Sequence, residues 1–359
     1  MLTGNKGEWS EIYTLFKLLG DGVVYAGDAD MNRISTLFYP IISVIRQEEQ
    51  KMKYDPESKS RVVIVYADEK EVMRVPMDDF AKKAADLLDK IKKAEGRAFS
   101  LTSIEGFMNS VMCYTLKAKS SDKTDIKLVV HDLRTGTRPV LGFSIKSQLG
   151  SSSTLLNPSD ATLFTYKVVG DQPISDEDIA RINAMESEGD RLKEMMLTGF
   201  KLDYHATDHE TFENNLMVVD SFMPQIIAQA LANHYTFGIN GIDESIRIIA
   251  DANPVGYKVK DVENFYRIKF KNLLVNVALG MTPAKEWDGR YEANGGYLVV
   301  KKDGDIVCYH FYDRNQLEDY LIKNTNFDNP SRSRYHYGSI YRGKDGRAYL
   351  KLCLQIRFK

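Results

Sequence analysis

Hydrophobic positions in the first third of the chain repeat with two different periods. Apolar residues recur every three or four positions in 7–19 and in 78–95, which predicts two amphipathic helices. The segment 103–116 is predicted as a third helix, whereas the short apolar run 61–66 is predicted as a buried strand. Both helices and strands are therefore expected in this part of the chain.

The middle of the chain is expected to be mainly helical. A capped helix is predicted to begin after Ser175, with apolar positions that continue to Leu192. The pattern from about 211 to 280 is also helical, and Pro224 and Pro254 are expected to interrupt it.

The C-terminal part is predicted to contain two hairpins and a short helix. The first hairpin spans 295–312 and turns at Asp303–Gly304, and the helix covers 314–324. The last hairpin spans 335–358 and turns at 343–346.

The stretch 123–150 predicts the hairpin on which the proposed chemistry depends. Polar and apolar residues alternate over 125–131, turn-forming residues occupy 134–139, and a second apolar run covers 140–146. A polar segment, 117–124, precedes it. Antiparallel pairing about a turn near Thr135 and Gly136 would bring Asp125 opposite Ser144 to Lys146. The sequence thus predicts that a carboxylate and an amine meet.

Bulk composition indicates a globular protein. With 359 residues, of which 43% are hydrophobic, the chain is long enough for one large or two ordinary domains. No apolar run reaches the roughly 18 residues of a membrane span, and no signal-peptide pattern occurs, so we expect a cytoplasmic protein that does not enter a membrane. The three cysteines form neither a disulfide framework nor a CxxC motif, which fits a reducing compartment.

The net charge of −2 is the main bulk observation against a nucleic-acid partner, because DNA-binding proteins often carry a positive field. A nuclease, however, concentrates carboxylates at its metal site and basic residues on its DNA face, so a near-neutral total is compatible with a polarised surface. ATP- or NAD-driven chemistry is not expected, since no GxxxxGK[ST] loop and no Gly-rich dinucleotide fingerprint occurs.

An Asp that opens one strand and an acid-x-Lys tripeptide near the end of the next strand form the active-site layout of the PD-(D/E)xK nucleases. The chain resembles the type II restriction endonucleases of the HpaII family within that superfamily. The resemblance is carried by GNKGEWSEIY, KTDIKLVV, GFSIKSQLGSSSTLLN and YHYGSIYRGKDGRAYLKLCLQIRF. It implies an α/β fold with a PD-(D/E)xK restriction-endonuclease-like core, a central mixed sheet flanked by helices, and helical and β-hairpin elaborations. We expect catalysis in 1–200 and DNA recognition in 201–359.

The resemblance also implies a magnesium site. Asp125 and the backbone carbonyl of Ile145 are expected to bind Mg²⁺, and Lys146 is expected to act on the attacking water. Ser144 stands where the family pattern has an acid, so a second carboxylate must come from elsewhere. The run KGxxxE, which ends at Glu11, is similar to an N-terminal helix signature of these nucleases, and it makes Glu11 the first candidate. Glu105 is the reserve, and Gln148 is a possible neutral ligand or water holder.

Alternatives remain open for several of these side chains. Glu11 could be a solvated first-turn acid stabilised by the helix dipole. The lysines of 82–93 could face phosphate or simply solvent. His205 and His209 have a spacing that could bind zinc on a helix, but HATDHE lacks the HExxH order and a Cys partner.

Enzymes similar to HpaII recognise double-stranded DNA at the palindrome CCGG and cut within it. Guanine edges favour Arg and Lys, which makes Arg332 and Arg334, with the adjacent Tyr335 and His336, candidates for DNA contact, to either base or phosphate. The hydroxyl-rich loop with Ser151 and Ser152 could bind phosphate or only form a turn. The family also implies a companion DNA methyltransferase, and a palindromic site is compatible with a homodimer.

Two other functions are compatible with the same residues. One is a non-catalytic DNA-binding protein in which Ser144 marks a decayed site. The other is a structure-specific repair nuclease that cuts junctions or mismatches. Retention of Asp125 and Lys146 in register favours catalysis.

Overall fold

The structure is a computed structural model that describes residues 1–117 and 124–359. Its strands are β1 (Val23–Gly27), β2 (Arg33–Gln47), β3 (Lys51–Glu57), β4 (Val62–Ala67), β5 (Lys70–Pro76), β6 (Ile126–Val130), β7 (Val140–Ser147), β8 (Thr154–Leu156), β9 (Leu163–Val169), β10 (Lys201–Thr207), β11 (Gly296–Val300), β12 (Ile306–His310), β13 (Thr325–Phe327), β14 (Ile340–Arg342), β15 (Ala348–Cys353) and β16 (Ile356–Phe358). Its helices are α1 (Lys6–Asp21), α2 (Met77–Lys93), α3 (Thr102–Ser110), α4 (Asp176–Asn183), α5 (Glu188–Leu197), α6 (Glu210–Val219), α7 (Met223–Phe237), α8 (Ile242–Ala252), α9 (Val262–Leu279), α10 (Arg314–Asn324) and α11 (Arg332–Tyr335).

The chain forms two compact units. The first consists of Met1–Ser153 and Tyr291–Tyr320, and the second consists of Thr154–Arg290 and Leu321–Lys359. Each unit takes residues from both sides of position 200. The expected assignment of catalysis to 1–200 and of DNA recognition to 201–359 stays a prediction.

A mixed nine-stranded sheet forms the centre of the first unit. The strand order is β1-β12-β11-β7-β6-β2-β3-β4-β5, in which the pairs β1–β12 and β11–β7 are parallel. Helices α1 and α2 pack against each other and cover the sheet, because Trp9, Ile12 and Phe16 bury one stripe of α1 in the core. This arrangement confirms the expected mixed α/β architecture with a central sheet flanked by helices.

The second unit combines two small sheets with a group of helices. Strands β10, β9, β15 and β14 form one antiparallel sheet, and β13, β16 and β8 form the other. Helices α6 to α9 pack in succession, and α7 also packs against β10 and β15.

Most predicted elements are present, and several boundaries are corrected. The helix predicted over 103–116 ends at Ser110, and the one predicted after Ser175 is split into α4 and α5. The interruption expected at Pro224 is present between α6 and α7, and this proline lies in the first turn of α7, where its missing N–H is not needed. The last hairpin forms only between β14 and β15, since β16 pairs with β13 and β8 instead.

The two histidines considered for zinc do not share a helix. His205 lies in β10 and is exposed, whereas His209 is the N-cap residue of α6. The helical spacing on which that possibility depended is therefore absent.

The described helices were also compared with the length and hydrophobicity that a membrane span requires. None of the helices in 1–117 and 124–359 meets both requirements.

Candidate active site

The hairpin of β6 and β7 has the predicted register. Ile126 pairs with Phe143, so Asp125, one residue earlier, lies beside Ser144, and its N–H donates to the Phe143 carbonyl at 2.9 Å. The turn closes where it was expected, with Gly136 at φ 69° in the left-handed region. Of the polar segment predicted ahead of this hairpin, residues 118–123 lie outside the described part of the chain.

The Asp125 carboxylate is fixed by two donors from β7. Its Oδ2 accepts a hydrogen bond of 3.0 Å from the Ser144 hydroxyl and one of 2.6 Å from the Ile145 N–H. Two hydrogen bonds from neighbouring groups of the same strand hold the carboxylate in one orientation. Asp125 is therefore pre-positioned at the end of the sheet.

Lys146 lies two residues beyond Ser144 and is half-buried. Burial lowers the pKa of its ammonium group, while the nearby charges of Asp125 and Glu11 act in the opposite direction. Its Nζ lies 5.1 Å from the centre of the Tyr297 ring. The structure thus brings the predicted amine close to the predicted carboxylates.

Glu11 reaches this group from α1. The helix is fixed at its start by a capping box between Asn5 and Glu8, and the Ser10 hydroxyl lies 2.8 Å from that of Ser147 in β7. Burial raises the pKa of the Glu11 carboxyl to about 8, and the carboxylate of Asp125 adds to this effect. Glu11 is therefore partly buried, which differs from the alternative considered above, a solvated acid stabilised by the helix dipole. We refer to Asp125, Ser144, Lys146 and Glu11 as the acid–lysine cluster.

Two cations next to the cluster were not predicted. The ammonium of Lys117 lies 3.2 Å from the Glu8 carboxylate, which raises the pKa of Lys117, and its charge also acts on Glu11. Arg46 is buried with Glu48, at 3.1 Å between Nε and Oε1, and its charge likewise lowers the pKa of Glu11. Neither residue belongs to a recognisable motif, so the sequence carried no signal for them.

The remaining candidates from the sequence lie at different places. Gln148 is half-buried, and its Nε2 contacts the Met31 sulfur at 3.4 Å. The Glu105 carboxylate lies 3.9 Å from the N-terminal amine of Met1. Ser151 and Ser152 are exposed in the loop after β7.

Four candidate DNA contacts lie in and beside α11, in the second unit. Arg332 donates to the Glu186 carbonyl at 2.9 Å, and its Nη1 lies 3.3 Å from a Glu188 carboxylate oxygen. The Arg334 guanidinium lies over the ring of Tyr335 at 5.5 Å. Both arginines and His336 are exposed. Their contact with DNA stays a prediction.

The donors at the cluster fit a hard divalent cation. Mg²⁺ uses one or two carboxylates and fills its other positions with water and substrate oxygens, and Asp125 and Glu11 provide two carboxylates. Burial, and to a smaller extent the neighbouring Asp125 carboxylate, raises the pKa of Glu11, and a bound cation would favour the charged form of this carboxyl. In the described part of the chain, no group of three or more His, Cys, Asp or Glu side chains is suited to a metal.

Comparison with known proteins defines the class of this enzyme. A family model described as HpaII restriction endonuclease matches residues 5–358, and the chain belongs to that family. It is accordingly a type II restriction endonuclease, a site-specific hydrolase that acts on double-stranded DNA.

A curated relative agrees over the full length. The type II restriction enzyme HpaII of Haemophilus parainfluenzae is 44% identical over 359 residues, which cover 99% of this chain and 98% of the relative. No solved structure matches the chain. The resemblance stated from the sequence is thereby confirmed. The comparisons favour neither the non-catalytic DNA-binding protein nor the repair nuclease.

Proposed function

We propose that this restriction endonuclease hydrolyses DNA with Mg²⁺ at the acid–lysine cluster and that its target is CCGG. The observation that supports the site is the convergence of three charges: Asp125 is hydrogen bonded by Ser144 and Ile145, and the charges of Asp125 and Glu11 both act on Lys146. Buried titratable groups with mutually perturbed pKa values are typical of catalytic sites.

In this proposal Asp125, Glu11 and the backbone carbonyl of Ile145 hold the cation. A bound Mg²⁺ supplies charge neutralisation at the phosphate and a water ligand of lowered pKa. Type II restriction enzymes generally use divalent cations, and oxygen donors suit Mg²⁺, Ca²⁺ and Mn²⁺. We propose Mg²⁺ because it commonly takes only one or two carboxylates from the protein. Ser144 keeps Asp125 oriented but brings no charge, so Glu11 supplies the second negative charge that the family pattern takes from an acid at position 144.

Lys146 acts on the reacting atoms. Hydrolysis forms a bond from a water oxygen to phosphorus while the bond from phosphorus to one ester oxygen breaks, and the departing oxygen ends protonated. Charge accumulates on the phosphate oxygens during this exchange, and a fixed ammonium stabilises it. Lys146 also orients the attacking water, and Gln148 holds a second water or serves as a neutral ligand.

We assign the first unit to the PD-(D/E)xK fold on the same residues. An acid that precedes β6 and a Ser-x-Lys sequence in β7 lie side by side in a mixed sheet covered by α1, from which Glu11 reaches the site. The target CCGG rests on the similarity to HpaII. Arg332 and Arg334, with Tyr335 and His336, are proposed to contact DNA, and Ser151 and Ser152 to contact phosphate.

The palindromic target supports a homodimer, and the family supports a companion methyltransferase that protects host DNA. We also propose that the enzyme acts in the cytoplasm, where its DNA substrate would be found.

One experiment tests the proposal as a whole. The purified protein is incubated with a duplex that contains a single CCGG site and with a matched duplex that carries CGCG instead, each with Mg²⁺ or with a chelator. We expect cleavage within CCGG that requires Mg²⁺. Ends mapped to another sequence would refute the assigned target, and cleavage that continues in the chelator would refute the assigned cofactor.

A further inference from the structure

The aromatic ring of Tyr297 lies against the ammonium group of Lys146. The Lys146 Nζ is 5.1 Å from the ring centre, within the range of a cation–π interaction. Tyr297 is buried, with 2% of its surface exposed, and it pairs with Ser144 across the parallel strands β11 and β7. Paired residues point to the same face of a sheet, and so do residues two apart in a strand. Tyr297, Ser144 and Lys146 therefore share one face.

Two glycines allow β11 to run close to both of its neighbours, β7 and β12. A Cβ on Gly295 would lie 2.8 Å from the Gly142 carbonyl oxygen on the β7 side, and one on Gly296 would clash with the Tyr309 carbonyl oxygen in β12. Gly296 also has a φ of 104°, which side chains rarely adopt. Because both contacts are with backbone atoms, a larger residue would displace the strand. The sequence Gly295-Gly296-Tyr297 thus sets the position of the ring.

The surroundings of Lys146 indicate what the Tyr297 ring could do for its ammonium group. A half-buried ammonium has lost part of its hydration, and a side chain with several rotatable bonds has many positions available to it. The face of an aromatic ring attracts a cation without accepting its proton and without competing for a metal ion. A carboxylate in the same place would also attract the metal ion. A ring therefore suits a lysine that must stay close to two metal-binding acids.

We propose that Tyr297 is a positioning residue for catalysis, whose ring face holds the Lys146 ammonium in its working position. The inference rests on the catalytic role proposed for Lys146. In this role Tyr297 touches neither DNA nor the reacting phosphate, and it acts only through Lys146.

The test compares four variants in single-turnover cleavage of the CCGG duplex, with DNA affinity measured separately in a chelator. The variants are Tyr297→Phe, Tyr297→Leu, Tyr309→Leu and Lys146→Ala. Tyr309 is the matched control, because it pairs with Tyr297 across β11 and β12 and is equally buried, but its ring stacks on Tyr320 at 4.1 Å.

We expect Tyr297→Phe to cleave within about threefold of the wild-type rate, because a phenylalanine ring keeps the cation–π contact. Tyr297→Leu should lose at least about tenfold in rate with little change in affinity for DNA. Tyr309→Leu should lower the melting temperature but keep the rate.

If the leucine variant does not fold, replacement of Tyr297 by phenylalanine and by trifluorophenylalanine gives a second test. The two rings have nearly the same shape, but fluorine withdraws charge from the ring face, so the cleavage rate should be lower with the fluorinated ring.

Three results would overturn the inference. The first is an equal cleavage rate for Tyr297→Leu and Tyr309→Leu. The second is an equal loss of cleavage rate in Tyr297→Phe and Tyr297→Leu. The third is an equal cleavage rate with phenylalanine and with trifluorophenylalanine at position 297. An inactive Lys146→Ala together with any of these would reject only the role of Tyr297. An active Lys146→Ala would reject the proposed role of Lys146 itself, and that of Tyr297 with it.

Discussion

The carboxylate of Asp125 accepts a hydrogen bond of 3.0 Å from the hydroxyl of Ser144, the residue that stands where the family pattern has an acid. Ser144 therefore orients the proposed central ligand but leaves the cluster one negative charge short. Glu11, which lies on α1 and is influenced by the charge of Asp125, is the acid that we propose supplies the missing charge.

Lys146→Ala should abolish cleavage while affinity for the cognate duplex stays within about tenfold, because the change removes chemistry and leaves the recognition surface intact. Cleavage rate and equilibrium binding are measured on the same duplex. Lys17→Ala serves as a control, since Lys17 also lies in the first unit but pairs with Asp21 at 2.7 Å. An unchanged rate in Lys146→Ala would contradict the proposed role.

Glu11→Gln should lose most activity and bind Mg²⁺ more weakly, because the cluster has no other carboxylate beside Asp125 to spare. Isothermal titration with Mg²⁺ and the cleavage rate check this. Glu8→Gln is the control on the same helix, since glutamine can maintain the capping box. Ser144→Glu, introduced into Glu11→Gln, should restore part of the activity. Near-normal cleavage by Glu11→Ala would indicate that Glu11 is not the second carboxylate and would favour Glu105 for that role.

The stability of the metal-free protein should depend on pH through Glu11. The pKa of this carboxyl is about 8 in the folded protein and near 4.5 when unfolded, so between these values the folded state holds a proton that the unfolded state has released. The free energy of unfolding contributed by Glu11 must then fall as pH rises from about 4.5 to 8.

Melting temperatures in a chelator, measured from pH 5 to pH 8.5, test this effect. Glu11→Gln should gain stability relative to the wild type as pH rises, and Mg²⁺ should reduce the difference. A difference between the two proteins that does not change with pH would show that Glu11 titrates normally.

Arg334→Ala should weaken binding to CCGG by about 1 to 3 kcal/mol and binding to random duplex very little, if Arg334 reads guanine. A phosphate contact would instead weaken both alike and flatten the salt dependence. Arg332→Ala should additionally lower the melting temperature, since this side chain is bonded to Glu186. Equal losses on both duplexes would exclude base recognition.

Local sequence patterns were sufficient to predict the helices and strands whose contacts join residues close together in sequence. The helices α1 and α2 followed from apolar periodicity, and the register of β6 and β7 followed from one turn with Gly136 near its centre. These features depend on residues close together in sequence. Asp125, Ser144 and Lys146 could be placed together for the same reason, whereas Glu11, on the distant helix α1, was expected only from the family resemblance.

Contacts between distant segments could not be predicted. The parallel pairing of β7 with β11 joins residues about 150 positions apart, and no local pattern specifies which strand will lie beside Lys146. For this reason the sequence did not predict that Tyr297 and Arg46 lie near the acid–lysine cluster. The long strand β2 was missed because its burial alternates irregularly, and β16 was assigned to the wrong partner because a hairpin turn precedes β15.

Two aspartates of the same hairpin distinguish the proposed catalytic site from its alternatives. Asp125 lies at the open end of β6 beside Ser144, whereas Asp132 is buried in the turn, where its Oδ1 accepts the N–H of Arg134 at 2.9 Å. The measurement is the single-turnover rate of Mg²⁺-dependent cleavage of a CCGG duplex by Asp125→Asn and by Asp132→Asn. We predict that Asp125→Asn is inactive and that Asp132→Asn cleaves at nearly the wild-type rate despite some loss of stability. Normal cleavage by Asp125→Asn with an inactive Asp132→Asn would contradict the proposed site.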